Sequence, residues 1–147
     1  MKEREWPYVY WFIDVHETML EPDWNKHLKV KTFYPNSKKL LREISKRDDV
    51  KMVMYTCSHP VEIDDYLSFF KENDINFDFV NENPETTNTK YGDFTKKPYM
   101  NVILDDKAGF EAKRDWYLIE SELAKYDGKL LSSIYFRLVY NLKGIFS

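Results

Sequence analysis

The chain has 147 residues, a length that predicts one domain, residues 1–147, with a substantial core. Hydrophobic residues make up 43% of the sequence and the net charge is only −3, so no overall charge draws the chain to nucleic acid or to an anionic membrane. The single cysteine excludes an intramolecular disulfide and a zinc site built from several cysteines. The sequence contains neither a recognisable signal peptide nor an apolar run of membrane-spanning length, and we therefore expect a cytoplasmic protein that contacts no membrane.

An apolar run near the start of the chain ends directly at an aspartate. Residues 8–13 are large, aromatic or β-branched throughout, which predicts a strand buried on both faces of a parallel sheet. Ligands of open α/β sheets bind at the carboxyl ends of the strands, so Asp14 is a candidate nucleophile or metal ligand, and Thr18 a candidate contact for an anion. The plainer interpretation is that Asp14 ends the strand because aspartate favours turns.

The rest of the chain alternates predicted helices with predicted strands. A connection over residues 19–36 is long enough to cover a site. The alternation predicts an α/β fold, a three-layer sandwich with a mostly parallel, Rossmann-like central sheet and no separate cap domain. The predicted elements are a helix over 37–47 with Ser37 as N-cap, a strand over 50–56, a helix from Pro60, a strand over 75–80, a loop over 81–97, a strand over 101–106, and a helix over 111–125.

Two further predicted strands end in polar residues. Thr56 follows the second strand, and Asp105 and Asp106 follow the fourth, with Lys96 and Lys97 upstream. Because parallel strands end at one edge of the sheet, these groups are expected to converge with Asp14. Each also has a plainer interpretation: Thr56 can cap the next helix, and the lysines can be merely solvated.

In this order, the motifs resemble those of the haloacid dehalogenase-like phosphohydrolases. In that family the first strand ends in Asp-x-Asp-x-Thr or Asp-x-Asp-x-Val, a second ends in Ser or Thr, a Lys follows, and a later strand ends in paired acids. All four parts occur here between residues 8 and 110. The Lys97-Pro98 pair ahead of the acidic pair resembles the small, capless members.

The resemblance implies a Mg²⁺-dependent hydrolysis of phosphomonoesters. Asp14 would be the nucleophile that forms an aspartyl-phosphate, and Mg²⁺ would be held by Asp14, the backbone carbonyl of His16, and Asp105 or Asp106. Thr56 would donate to a phosphoryl oxygen, and Lys97, or Lys96 beside it, would balance the negative charge. The implied partner is a phosphorylated substrate of unspecified size, with nucleic acid expected only as a substrate.

The chain departs from the family pattern at two positions. His16 stands where the second aspartate, the usual general acid and base, is found, and Glu17 stands where a glycine is usual. A histidine has an unperturbed pKa of about 6.5 and can transfer protons near neutral pH. The same substitution also fits a descendant that binds metal or phosphate without turnover. Glu17 would repel phosphate unless its side chain points outward.

Other functions are less well supported by the sequence. A receiver-type phosphoacceptor has similar residues, but its acidic pair comes first in the chain. A thiol nucleophile at Cys57 lacks a partner that the sequence identifies, and His59 is expected to be a loop or capping residue. Residues 131–146 have apolar side chains at helical spacing, which favours a closing helix on the sheet, with a homodimer interface as the next possibility.

Overall fold

The computed structural model describes residues 6–22 and 30–124, and these residues form an α/β fold, as predicted. Asp14, Thr56, Asp105 and Asp106 follow the carboxyl ends of its strands. The elements in chain order are β1 (Val9–Ile13), α1 (Ser37–Ser45), β2 (Val50–Met54), α2 (Pro60–Glu72), β3 (Phe79–Val80), β4 (Val102–Leu104), a 3-10 turn (Asp106–Ala108) and α3 (Ala112–Leu123).

The sheet described here has four parallel strands in the order β3-β2-β1-β4. β1 lies between β2 and β4, so a strand of large apolar residues is buried on both faces, as its sequence predicts. Ile13 is in register with Met54 of β2 and with Leu104 of β4. The three strands therefore end side by side, and the residues that follow them lie at one edge of the sheet.

The two faces of the sheet are covered in different ways. Trp11 and Ile13 face a core cluster to which all three described helices contribute apolar side chains. Tyr10 and Phe12 face the other side, where they pack under aromatic residues that include Trp6 and Tyr99. Tyr99 belongs to the connection between β3 and β4. Within the described ranges, helices thus cover one face of the sheet and an aromatic connection covers the other.

The third strand is much shorter than the sequence predicts. Only Phe79 and Val80 pair with β2, although alternation predicts a strand over residues 75–80. The amide of Ile75 donates instead to the carbonyl of Phe70 at the end of α2, at 2.9 Å. Asp78 joins β2 through both backbone and side chain: its amide donates to the carbonyl of Met52, and its carboxylate accepts from the Met52 amide, each at 2.8 Å.

The predicted N-cap of the first helix is also wrong by one position. Asn36, in a left-handed conformation with φ 68°, is the N-cap, and Ser37 is the first helical residue. Ser37 is fully buried, and its hydroxyl lies 3.1 Å from the carbonyl of Met19 and 2.8 Å from that of Tyr34. The serine therefore fastens the connection that follows β1 to the start of α1, which local capping preferences do not predict.

Part of the prediction lies outside the described residues. The closing helix expected over residues 131–146, and with it the possible dimer surface, falls beyond residue 124. Residues 23–29, part of the connection that is long enough to cover a site, also lie outside the described residues. Among the residues that the structure does describe, no helix has the length and apolar character needed to cross a membrane.

Candidate active site

Three carboxylates converge at the carboxyl edge of the sheet. Asp14 follows β1, and Asp105 and Asp106 follow β4. Each offers one oxygen, and these oxygens all lie within 4.8 Å of one another, with all three residues half-buried. This geometry agrees with the prediction that the acids at the strand ends converge. Hard oxygen donors at this spacing suit a small divalent cation such as Mg²⁺.

Thr18 connects the two segments that carry these acids. Its hydroxyl accepts a hydrogen bond from the amide of Asp106 at 3.2 Å, and its carbonyl accepts one from the indole of Trp116 at 2.8 Å. The amide of Asp14 donates to the carbonyl of Leu104 at 2.9 Å, which extends the pairing of β1 with β4. Thr18 is fully buried, and through these contacts it holds together the segments that carry the acids.

The environment of Asp14 disfavours its ionised form. Partial burial is the main cause, and the negative charges of Asp105 and Asp106 add to it; together they raise the pKa of Asp14 from 3.8 to about 6. The amide of Val15 and the charge of Lys107 act in the opposite direction. A cation placed among the three acids would therefore stabilise the ionised form of Asp14.

Lys107 is the cation that the structure brings to the acid cluster. Its ammonium bonds the carboxylate of Asp106 and lies 3.7 Å from that of Glu17. The bond to Asp106 raises the pKa of Lys107, so the side chain is charged at neutral pH. Lys107 is not among the residues predicted from the motifs, although its position directly after the acidic pair is a signal in the sequence.

The predicted cation, Lys97, is placed differently. It is an exposed residue of the loop that leads into β4, whereas the acids follow the carboxyl end of the same strand. Lys96 is exposed in the same loop. No described contact joins either lysine to Asp14, Asp105 or Asp106.

His16 lies in the turn that follows Asp14 and is exposed. Its Nε2 is 2.8 Å from the hydroxyl of Tyr66, a residue of α2 that is fifty positions away in the chain. The two rings meet edge to face, with centroids 5.4 Å apart. Burial, followed by the charges of Glu62 and Asp65, raises the pKa of Tyr66, so its phenol stays protonated at neutral pH. No sequence motif points to this pair.

Glu17 has a left-handed backbone with φ 55°. This conformation is unfavourable for residues with a Cβ atom and easy for glycine, the residue that the family resemblance leads one to expect here. The carboxylate of Glu17 is partly exposed and faces Lys107, so part of its charge is offset. The turn after β1 thus keeps a glycine-like backbone without a glycine.

Thr56 follows β2 and is nearly buried at the same edge of the sheet. Its hydroxyl lies 3.0 Å from that of Ser58. The side chain of Asn81 pairs with both backbone groups of Thr56: Oδ1 accepts from its amide and Nδ2 donates to its carbonyl, each at 2.8 Å. Thr56 does not cap α2, because His59 is the N-cap, in agreement with the expected capping role of that histidine.

Comparison with known proteins supports the fold and leaves the activity open. No family model and no curated protein matches the chain. A solved structure described as that of a conserved protein coded by a locus from Bacteroides thetaiotaomicron is similar, with a TM-score of 0.59 and 14% identity. The match covers 82% of this chain and 93% of that one. At this identity, the similarity establishes the α/β architecture alone.

Proposed function

We propose that the protein is a Mg²⁺-dependent phosphomonoester hydrolase that forms an aspartyl-phosphate on Asp14. The observation that carries this proposal is the convergence of Asp14, Asp105 and Asp106, with ligand oxygens within 4.8 Å of one another at the carboxyl edge of a parallel sheet. The ordered motifs that resemble the haloacid dehalogenase-like phosphohydrolases add support, because the strand-end acids of those motifs are the three acids that converge.

The donor set fits the proposed metal. Asp14, Asp105 and Asp106 would hold Mg²⁺ through carboxylate oxygens, with the backbone carbonyl of His16 as a further candidate. When bound, the ion would offset the negative charge of the acids and polarise the phosphoryl oxygens of the substrate. Lys107 would complement it from beside Asp106, in the role that the sequence analysis gives to Lys97.

The reaction would proceed in two displacements at phosphorus. In the first, a carboxylate oxygen of Asp14 bonds to phosphorus, the ester P–O bond breaks, and His16 gives a proton to the departing oxygen. In the second, His16 takes a proton from water, the water oxygen bonds to phosphorus, and the bond from phosphorus to Asp14 breaks. Inorganic phosphate leaves, and Asp14 and His16 return to their starting states. Thr56 would donate to a phosphoryl oxygen.

The test is the release of inorganic phosphate from a panel of p-nitrophenyl phosphate, nucleotides and phosphorylated DNA ends. We expect turnover with Mg²⁺, none with EDTA, and a loss of about a thousandfold or more in Asp14→Asn. Asp64→Asn, which changes an exposed aspartate on α2, is the matched control and should be unaffected. Turnover that survives Asp14→Asn would contradict the proposal.

The alternative is a protein that binds metal or phosphate without turnover, and the histidine at position 16 is the observation that favours it. Bound Mg²⁺ without hydrolysis of any ester in the panel would support this alternative. In that case, replacing His16 with aspartate should create phosphatase activity while Mg²⁺ affinity stays unchanged.

A further inference from the structure

The imidazole of His16 has a specific partner on a distant element. An exposed side chain in a turn ordinarily samples several rotamers, and His16 is exposed. Yet its Nε2 lies 2.8 Å from the hydroxyl of Tyr66, and the edge of one ring meets the face of the other at an interplanar angle of 82°. The contact joins the turn after β1 to the middle of α2.

Tyr66 is itself held in place from several sides. It is half-buried and packs against the main core cluster. The ammonium of Lys31 lies 5.8 Å from the centroid of its ring, and the same ammonium bonds Asp65 at 2.6 Å. Because these contacts hold Tyr66 in place, its hydroxyl sets the orientation of the more exposed imidazole of His16.

The hydrogen bond also decides which nitrogen of His16 can act. With Nε2 occupied by Tyr66, Nδ1 is the ring nitrogen left without a hydrogen-bond partner among the described residues. A residue that exchanges protons with substrate needs one free nitrogen in a fixed direction, and a partner at the other nitrogen fixes the orientation of the ring.

We propose that Tyr66 is a positioning residue that orients His16 so that Nδ1 exchanges the proton with the leaving group and the attacking water. This inference rests on the proposed phosphatase function. Tyr66 does not contact the reacting atoms; it acts only through His16. Removing its hydroxyl should therefore slow those steps that need proton transfer, with little effect on substrate binding.

A matched pair of substrates separates this role from a structural one. Phenyl phosphate and p-nitrophenyl phosphate are similar in shape, but only the strongly basic phenolate needs a proton as it leaves. In Tyr66→Phe, we expect kcat/KM for phenyl phosphate, which reports the steps up to departure of the phenolate, to fall by about tenfold. The kcat/KM for p-nitrophenyl phosphate should change by no more than about twofold. Tyr117→Phe, at an exposed tyrosine of α3, is the control.

Non-additivity provides the second readout. If Tyr66 acts through His16, then adding Tyr66→Phe to His16→Ala should slow phenyl phosphate hydrolysis no further. Equal losses of kcat/KM on both substrates, or losses that multiply in the double variant, would overturn the positioning role.

Nuclear magnetic resonance of the imidazole nitrogens provides a readout that does not depend on activity. The other two histidines, His27 and His59, serve as internal references. Tyr66→Phe should move the Nε2 resonance of His16 and leave theirs in place, and an unmoved resonance would overturn the inference. If the resonance moves but the wild-type protein hydrolyses no ester, the proposed function has failed and the catalytic role of Tyr66 fails with it. An active wild-type protein with unaltered kinetics in Tyr66→Phe would remove the positioning role alone.

Discussion

At the scale of single residues, the environment of Asp14 links the candidate chemistry to stability. Its pKa is raised from 3.8 to about 6, chiefly by burial and then by Asp105 and Asp106. Between these two values the folded protein holds a proton that the unfolded chain has lost, so the free energy of unfolding falls as the pH rises from about 4 to about 6. Above about pH 6 the cost of the buried charge is fully present.

The first prediction follows from this cost. In metal-free protein, Asp14→Asn should raise the free energy of unfolding at about pH 7 by on the order of 1–3 kcal/mol, the value being reduced by the partial exposure of the site. Near pH 4 the gain should vanish. Urea denaturation in EDTA at both pH values measures it. An Asp14→Asn variant that is no more stable than wild type at neutral pH would show that the carboxylate is not destabilised.

The second prediction concerns the cation of the site. Lys107 lies beside Asp106, whereas Lys97 is exposed in the loop ahead of β4. Lys107→Met should lower kcat/KM for p-nitrophenyl phosphate by about a hundredfold, and Lys97→Met should change it by less than about threefold. Steady-state kinetics of the two variants compares them directly. The reverse order of effects would assign the role to Lys97, as the sequence resemblance does.

At the scale of elements, the turn after β1 places Glu17 in a backbone conformation that is unfavourable for a residue with a Cβ atom. Glu17 adopts φ 55°, and the neighbouring amides already bond within the turn: that of Glu17 donates to the carbonyl of Leu20, and that of Met19 donates to the carbonyl of Val15. The turn geometry is therefore set by hydrogen bonds that any residue can make, and the left-handed conformation is imposed on Glu17.

The third prediction concerns this unfavourable conformation. Glu17→Gly should raise the free energy of unfolding by roughly 0.5–1 kcal/mol, because the left-handed strain of a Cβ-bearing residue is removed. Glu17→Ala keeps the Cβ and removes the same charge, so it should give no such gain. Both variants should lower KM for a phosphate ester to a similar extent, since both remove a negative charge near the site. Equal stabilities of the two variants in thermal denaturation would show that the backbone is not strained.

Two of the strands show what a local sequence pattern can and cannot predict. β1 was predicted correctly because an apolar run has a local signature, and its end at Asp14 follows from that signature. The predicted third strand is too long, because Ile75 bonds to the end of α2 and only Phe79 and Val80 pair with β2. Alternation cannot distinguish a strand from an extended segment that bonds elsewhere.

At the scale of the whole molecule, the parallel topology is what turns separate motifs into a site. The end of β1 lies beside the end of β4 because Ile13 and Leu104 are in register. The hydroxyl of Thr18 also accepts a hydrogen bond from the amide of Asp106, which joins the segments that follow the two strands. The sequence predicts this convergence because parallel strands all end at the same edge of the sheet. The long-range partners, Tyr66 for His16 and Asn81 for Thr56, depend on how α2 and β3 pack, and no local pattern encodes them.

Trapping the covalent intermediate is the most direct test of the proposed mechanism. A reaction of the protein with Mg²⁺ and p-nitrophenyl phosphate would be quenched in acid, reduced with borohydride and digested, since an aspartyl-phosphate is reduced to homoserine and a free carboxylate is not. We expect homoserine at position 14, dependent on Mg²⁺ and on substrate, with Asp105 and Asp106 unmodified. Phosphate release without modification at position 14, or modification at another aspartate, would contradict Asp14 as the nucleophile.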